Sequence, residues 1–531
     1  LVPLSPLKGP YPMASSSLKN HIVEPKNVIA NPDPEDLRKL VAEMPNAQKT
    51  EFGNYNVKIK VKARSKSSTF IVTDSPNSHS DQTINTGAAA EIAEMQNKYI
   101  EEQDMIVIDG FIGPDPATRT AARLTIEKTN ANIAAMQQQL YFTPTPTEFA
   151  HFEPELNIVY TPNLVAKGFP NDRLITVDLD NKITRVLNSD YFGESKKAGL
   201  RMWNSLIYQR GGLSLHAGCK MIPVNGTNKV GLIIGLSGTG KTTTTFSKQN
   251  DSKPIQDDFV ALMPGGKILG TENGCFAKTF GLNAESEPMI YEAVTNPMAY
   301  MENVAVDSNG KVDFYNSDYT ENGRATFPFQ LLSDAGDPRE LSEVDFVLIL
   351  NRNENIIPAV ARLTKEQAAA YFMLGETKGP SAGGAEEAGK ALRVPGTNPF
   401  FPMLHKDQGN RFLELLNQHP VDVYLMNTGW VGGADGTAHS KKVKIRHSSA
   451  VVQGIVDQSI EWQKDDAFGY DIAQRVPGIS PEDHILLQPA EYYMKTNRQS
   501  EYASLVEDLK ASREEYLSKY EGLSEPIVRS L

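Results

Sequence analysis

Cysteine is scarce: Cys219 and Cys275 are the only two in 531 residues. Two thiols cannot staple a chain this long, which excludes a disulfide scaffold and points to a reducing compartment. Long apolar runs are missing as well. Phe346-Val347-Leu348-Ile349-Leu350 is among the most apolar stretches, and it falls far short of the ~20 residues that a membrane-spanning helix needs. Positive charge is not in excess: 53 Lys and Arg stand against 65 Asp and Glu, for a net charge of −12. That balance excludes wholesale wrapping of nucleic acid or of an anionic membrane. The first thirteen residues lack the charged start and apolar core of a signal peptide, so 1–13 are expected to be a cloning remnant or a disordered lead before Met13.

What is present is an ordinary globular composition, 40% hydrophobic and 22% charged. The length exceeds what one core usually holds, so two domains are expected. Val57–Val61, Phe70–Val72 and Met105–Ile108 read as strands and Ala117–Gln138 as a helix, giving an N-terminal α/β domain over 14–210. From 211 to 531 the apolar strands Val230–Ile234, Asp345–Leu350 and Val421–Met426 recur between helical segments, as in an α/β nucleotide-binding domain. Tyr502, Leu505, Val506, Leu509, Tyr516, Leu517 and Tyr520 form one apolar stripe at helical spacing near the C-terminus. Gly375–Gly389, rich in Gly, Ala and Glu, reads as a linker or a mobile lid.

Gly235-Leu236-Ser237-Gly238-Thr239-Gly240-Lys241-Thr242-Thr243 satisfies the phosphate-loop pattern and directly follows an apolar strand. Glycines turn backbone N–H groups toward phosphate oxygens, Lys241 reaches the β- and γ-phosphates, and the Thr242 hydroxyl can ligate Mg²⁺. Asp257 and Asp258 supply adjacent carboxylates where a following strand would return them to the phosphates. A nucleoside triphosphate is therefore expected.

Several further motifs occur in a fixed order: Tyr191-Phe192-Gly193-Glu194-Ser195-Lys196-Lys197, His216 within Leu213–Ala217, Glu272–Lys278, Thr320-Glu321-Asn322-Gly323-Arg324, and Tyr424–Trp430. With the phosphate loop, this order resembles the ATP-dependent phosphoenolpyruvate carboxykinases from about Arg64 to Ser448. The resemblance implies a two-domain α/β enzyme with its active site in a cleft, converting oxaloacetate and ATP to phosphoenolpyruvate, ADP and CO₂. It implies Lys197, His216 and Asp258 as ligands of a catalytic Mn²⁺, beside the Mg²⁺ at Thr242. It implies Arg64, Tyr191 and Arg324 as substrate-holding groups and Lys196 and Lys241 as further catalytic ones. On the nucleotide side it implies Asp257, Lys278, the ribose-side Glu287, and Lys442, Val443 and Ser448 near the base. A lysine ligand must be neutral, and the adjacent Lys196 disfavours protonation of Lys197. A cytoplasmic, gluconeogenic or anaplerotic enzyme is implied, acting on small molecules as a monomer or homo-oligomer without nucleic acid or membrane.

The sequence departs from the family locally. Ala63-Arg64-Ser65-Lys66-Ser67-Ser68-Thr69 keeps only Arg-Ser of Gly-Arg-Ser-Pro-Lys-Asp-Lys, and Ala217-Gly218-Cys219-Lys220 replaces Cys-Ser-Ala-Asn after the histidine. Lys442-Val443 replaces Arg-Ile, losing a planar stacking group. Two alternatives follow from these departures: a kinase of the same fold acting on another acid, or a catalytically silent nucleotide-binding regulator. Retention of Lys197, His216, Asp258, Lys241 and Arg324 counts against the silent reading.

Overall fold

The computed structural model describes residues 23–378 and 391–531, and the run 1–13 lies outside them. These residues form two compact units. The first holds the described residues up to 206 together with 271–333; the second holds 207–270 and the described residues from 334 onward. The chain thus returns to its first unit after the phosphate loop, where sequence alone places 211–531 in one domain.

The first unit contains two sheets. One has eight strands, with Asp104–Ile112, Thr120–Glu127 and Leu156–Thr161 side by side as the second to fourth. The other has five, in the order Gly274–Lys278, Arg324–Pro328, Tyr300–Glu302, Tyr55–Val57 and Ala47–Lys49. The helix expected over Ala117–Gln138 is a strand for its first half, and only Ala131–Leu140 is helical. The reason is a period of two: Ala122, Leu124 and Ile126 are wholly buried on one face, while Arg123 on the other pairs with Asp109 at 2.6 Å. The strand expected over Val57–Val61 stops at Val57. Beyond it the Ile59 N–H is taken by the Asn303 side chain, and those of Lys60 and Val61 by the Asp190 carboxylate, so no ladder continues.

In the second unit a ten-stranded sheet runs through Leu213–Val224, Thr227–Ile234, Phe346–Asn351 and Asp422–Asn427, and the last three of these are mutually parallel. Both faces are covered. Leu232, Ile234, Val347 and Ile349 enter one apolar cluster with the buried helix Lys365–Leu374, while Ile233, Leu348 and Leu350 enter another with Val451, Val452 and Ile455 of the helix Ile445–Val456. Burial on both faces explains why these strands read as continuous apolar runs rather than as alternation. The C-terminal stripe lies on the helix Gln499–Ser518 and just beyond it, packed on the first of these clusters.

Of the glycine-rich stretch, residues 379–389 lie outside the described residues. At its base Glu376–Lys378 pairs with Ala391–Arg393. Burial works against the Glu376 carboxylate, yet Arg513, at 2.7 Å, and Arg393, at 3.1 Å, hold it ionised with its pKa at about 2. Arg513 is wholly buried and also donates to the Tyr371 hydroxyl at 3.0 Å. Arg513→Met leaves a buried carboxylate half-paired and is expected to cost about 3 kcal/mol in urea unfolding. Adding Glu376→Gln should recover part of that loss.

Candidate functional site

In the second unit the strand Thr227–Ile234 delivers the chain into the loop 235–240 and then the short helix Lys241–Phe246. Gly238 and Gly240 have φ of 86° and 91°, a region that residues with a Cβ avoid, so the turn depends on glycine at both. Neighbouring strand ends brace the loop from outside. The Thr428 hydroxyl donates to the Thr239 carbonyl at 2.6 Å, and the Arg352 guanidinium donates to the Gly238 carbonyl at 2.8 Å. Ser237, Thr242 and Thr243 are half-buried, whereas Leu236 is buried. This is the end of a parallel sheet at which α/β proteins bind ligands.

Behind the loop three side chains meet. Asp258 Oδ1 accepts from Lys241 Nζ at 2.7 Å and lies 2.9 Å from His216 Nε2, and Lys241 Nζ lies 3.3 Å from that ring nitrogen. Asp257 and Asp258 form a two-residue break between Lys253–Gln256 and Phe259–Leu262, which run in one line antiparallel to Leu213–Val224. Phe259 and Phe400, with ring centroids 5.3 and 6.1 Å from the His216 ring, wall the imidazole in. Among the described residues no group of three or more His, Cys, Asp and Glu side chains forms a metal cage. Two of the expected donors, an imidazole and a carboxylate, nevertheless converge on one cationic atom, the Lys241 ammonium. That donor set fits a divalent ion.

Farther along this unit Lys442 is exposed, with its ammonium 5.7 Å from the Trp430 ring centre. Val443 points into the apolar core, and Ser448 is half-buried in the first turn of the helix Ile445–Val456. With its side chain buried, Val443 has only its backbone to offer a ligand.

The first unit gathers the acid-holding candidates. Asn322 stitches them together: its amide donates to the Lys62 carbonyl, two residues from Arg64, at 2.8 Å and to the Tyr191 hydroxyl at 3.4 Å, and it accepts from Arg324 Nε at 2.9 Å. The Phe276 ring lies under the same groups, 5.3 Å from the Arg324 guanidinium and 6.2 Å from the Tyr191 ring. Lys278 is the cross-strand partner of Arg324, and partial burial together with that guanidinium lowers its pKa. Glu287 precedes the helix Pro288–Val294. Lys196 and Lys197 lie on the helix Phe192–Gln209, and Lys197 is half-buried. The Lys196 ammonium is buried against Glu272 at 3.0 Å, so its charge is balanced and presses less on Lys197 than adjacency in sequence implies.

Sequence reasoning missed Asn322, Phe276, Glu272 and Glu302 as members of this cluster. The first three sit inside motifs already quoted, and that position was the available signal. Glu302 had none. It is fully buried opposite Arg324, and its Oε2 accepts from the Phe192 N–H at 3.0 Å, at the start of the lysine-bearing helix. Burial pushes its pKa up to about 8, the nearby Asp190 adding to the effect and the Phe192 N–H and Arg324 opposing it.

A doubly covered α/β sheet that ends in a glycine loop, with lysine, carboxylate and imidazole behind it, defines a nucleotide-handling enzyme class. Comparison with known proteins makes this specific: the phosphoenolpyruvate carboxykinase family matches residues 26–482. The chain belongs to that family. It is 30% identical to a phosphoenolpyruvate carboxykinase (ATP) of Lysinibacillus sphaericus over 443 residues, 81% of each chain. It is also 30% identical to one from Moorella thermoacetica, over 80% of each chain, and to one from Alkaliphilus oremlandii, over 88% of this chain and 89% of the relative.

Glu302 generates a pH prediction. Its folded pKa lies above the ordinary 4.5, so its contribution to stability is complete below that pH and is lost as pH rises through about 8. Between pH 6 and pH 9 the parent should lose about 2 kcal/mol relative to Glu302→Gln, by denaturant unfolding at each pH.

Proposed function

We propose that this chain catalyses the ATP-dependent conversion of oxaloacetate to phosphoenolpyruvate, releasing ADP and CO₂, in a cytoplasmic gluconeogenic or anaplerotic role. The observation that carries the reading is the meeting of Lys241, Asp258 and His216 directly behind the glycine loop. A mere nucleotide-binding module has no use for an imidazole and a carboxylate at that point. Relatives that carry the carboxykinase name over four-fifths of the chain also favour this reading over a kinase for another acid.

The chemistry assigns roles. Arg64, Tyr191 and Arg324 hold the dicarboxylate, with Asn322 fixing the geometry of the last two. As the carbon–carbon bond to CO₂ breaks, its electron pair becomes an enolate, and the cationic groups around it oppose the charge that appears on oxygen. The enolate oxygen then bonds to the γ-phosphorus while the bond to the β-phosphate oxygen breaks, releasing ADP. This transfer depends on positioning and neutralisation. The backbone of Gly235 to Gly240 cradles the phosphates, and Lys241, drawn from Asp258 toward the β- and γ-oxygens, offsets their charge. Thr242 and Thr243 open the helix at the phosphates, with Thr242 the residue to hold Mg²⁺. His216, Asp258 and, by the family resemblance, Lys197 would hold Mn²⁺, which when bound supplies Lewis acidity to the developing oxyanion. Lys196 and Asp257 support the charged groups beside them. Lys278 and Glu287 serve the phosphate and ribose, and Lys442, Val443 and Ser448 the base.

One coupled assay tests the reading. With Mn²⁺ and Mg²⁺, phosphoenolpyruvate should form only when oxaloacetate and ATP are both present, and Lys241→Ala should lower kcat by about a thousandfold or more in a folded protein. ATP turnover with another acid and none with oxaloacetate would overturn it, as would near-parent turnover in Lys241→Ala.

A further inference from the structure

One buried amine in the second unit has no place in the reaction just described. Lys220 lies on the strand Leu213–Val224, where side chains alternate between two faces. Leu213, Leu215, Ala217, Cys219 and Met221 point into the apolar core. The opposite face carries His216, Gly218 and Lys220, and the short helix Lys241–Phe246 lies along it. His216 meets Lys241 at the helix start. At Gly218 an added Cβ would come within 2.1 Å of Thr245 Oγ1, so glycine lets the helix settle onto the strand. At the far end the Lys220 ammonium donates to the Thr244 carbonyl at 3.0 Å, the Ser247 carbonyl at 2.6 Å and Gln249 Oε1 at 2.5 Å.

Three donors therefore meet three acceptors, and two of those are carbonyls at the C-terminal end of the helix whose first residues are Lys241 and Thr242. A cation there complements the negative end of the helix dipole. The contact also reaches the base side: Gln249, fixed by Lys220, donates through Nε2 to Ser449 Oγ at 3.0 Å, next to Ser448. We propose that Lys220, which stands where the family has asparagine, is a positioning residue of the nucleotide site, clamping the phosphate-loop helix and the Ser448–Ser449 segment to one strand. The proposal rests on the nucleotide site of the previous subsection and not on the fate of the acid.

No carboxylate meets this amine among the described residues. The groups facing it are Thr244 and Thr245 of the helix, Ser247 and Gln249 of the following turn, and its cross-strand partners Gly231 and Pro254, none of them ionisable. Burial alone pushes its pKa down to about 7. Below that pH all three donors are present; above it one is withdrawn and the clamp loosens.

Mg·ATP binding to the full chain, measured by calorimetry from pH 6 to pH 9, tests this. Lys220→Met keeps the stem and removes the donors. At pH 6.5 it should bind about tenfold more weakly than the parent. The gap should narrow as pH rises through the Lys220 range, and comparison with the parent cancels the ionisation of ATP itself. Gln249→Glu keeps the amine and sets an anion against it, so the alkaline loss of affinity should move up by a pH unit or more. A folded Lys220→Met that binds within twofold of the parent at pH 6.5, or that keeps the parent's pH dependence, overturns the proposal. If Lys220→Met does not fold, Gln249→Glu decides: an unmoved pH profile overturns the proposal and an upward shift supports it. Failure to form phosphoenolpyruvate with these binding curves intact would count against the reaction and not against Lys220.

Discussion

The second unit turns on one carboxylate. Asp258 accepts from the Lys241 ammonium and lies against the His216 imidazole through the same oxygen, so the glycine loop, the strand behind it and the strand break that bears Asp258 meet at one atom. Removal of a charge partner from a buried site costs far more than its presence gains, which makes such a contact a constraint on everything around it. In the proposed reaction the carboxylate has two claimants. While Lys241 lies on Asp258 its ammonium is paired; phosphates that drew Lys241 forward would leave the Asp258 carboxylate and the His216 imidazole as a donor pair suited to a divalent ion. On this proposal the ammonium and the ion would compete for one oxygen.

That contact depends on backbone geometry established several residues away. Leu213–Val224 is an amphipathic strand of an uncommon sort, with an apolar face in the core and, on the other side, the row His216, Gly218 and Lys220 under the whole length of the phosphate-loop helix. Histidine touches the helix at its chemical end, glycine removes bulk in the middle, and lysine closes the far end. In the first unit Asn322 plays the corresponding part for Arg324, Tyr191 and the segment bearing Arg64, through three polar contacts of one short side chain.

The parts of the fold that the sequence discloses are those governed by short-range rules. Apolar runs buried on both faces gave the central strands of the second unit, and the glycine pattern located the loop. Where tertiary contacts compete with local pattern, the reading fails. Thr120–Glu127 carries enough Ala, Arg and Leu to resemble a helix, yet the Arg123–Asp109 pair and three alternate buried residues make it a strand. The segment after Val57 has strand composition, but Asp190 and Asn303 take its N–H groups. The return of 271–333 to the first unit leaves no local mark at all. At the site, residues inside ordered motifs were legible, whereas Glu302, Glu272 and the clamp made by Lys220 depend on partners up to 110 positions distant.

Mn²⁺ affinity without nucleotide, read from the free-ion signal in electron paramagnetic resonance, reports on the competition at Asp258. Lys241→Met removes the ammonium that shares the carboxylate while leaving His216 and Asp258 in place. This variant should bind Mn²⁺ several-fold more tightly than the parent when ATP is absent. Equal or weaker Mn²⁺ binding in the folded variant would contradict it.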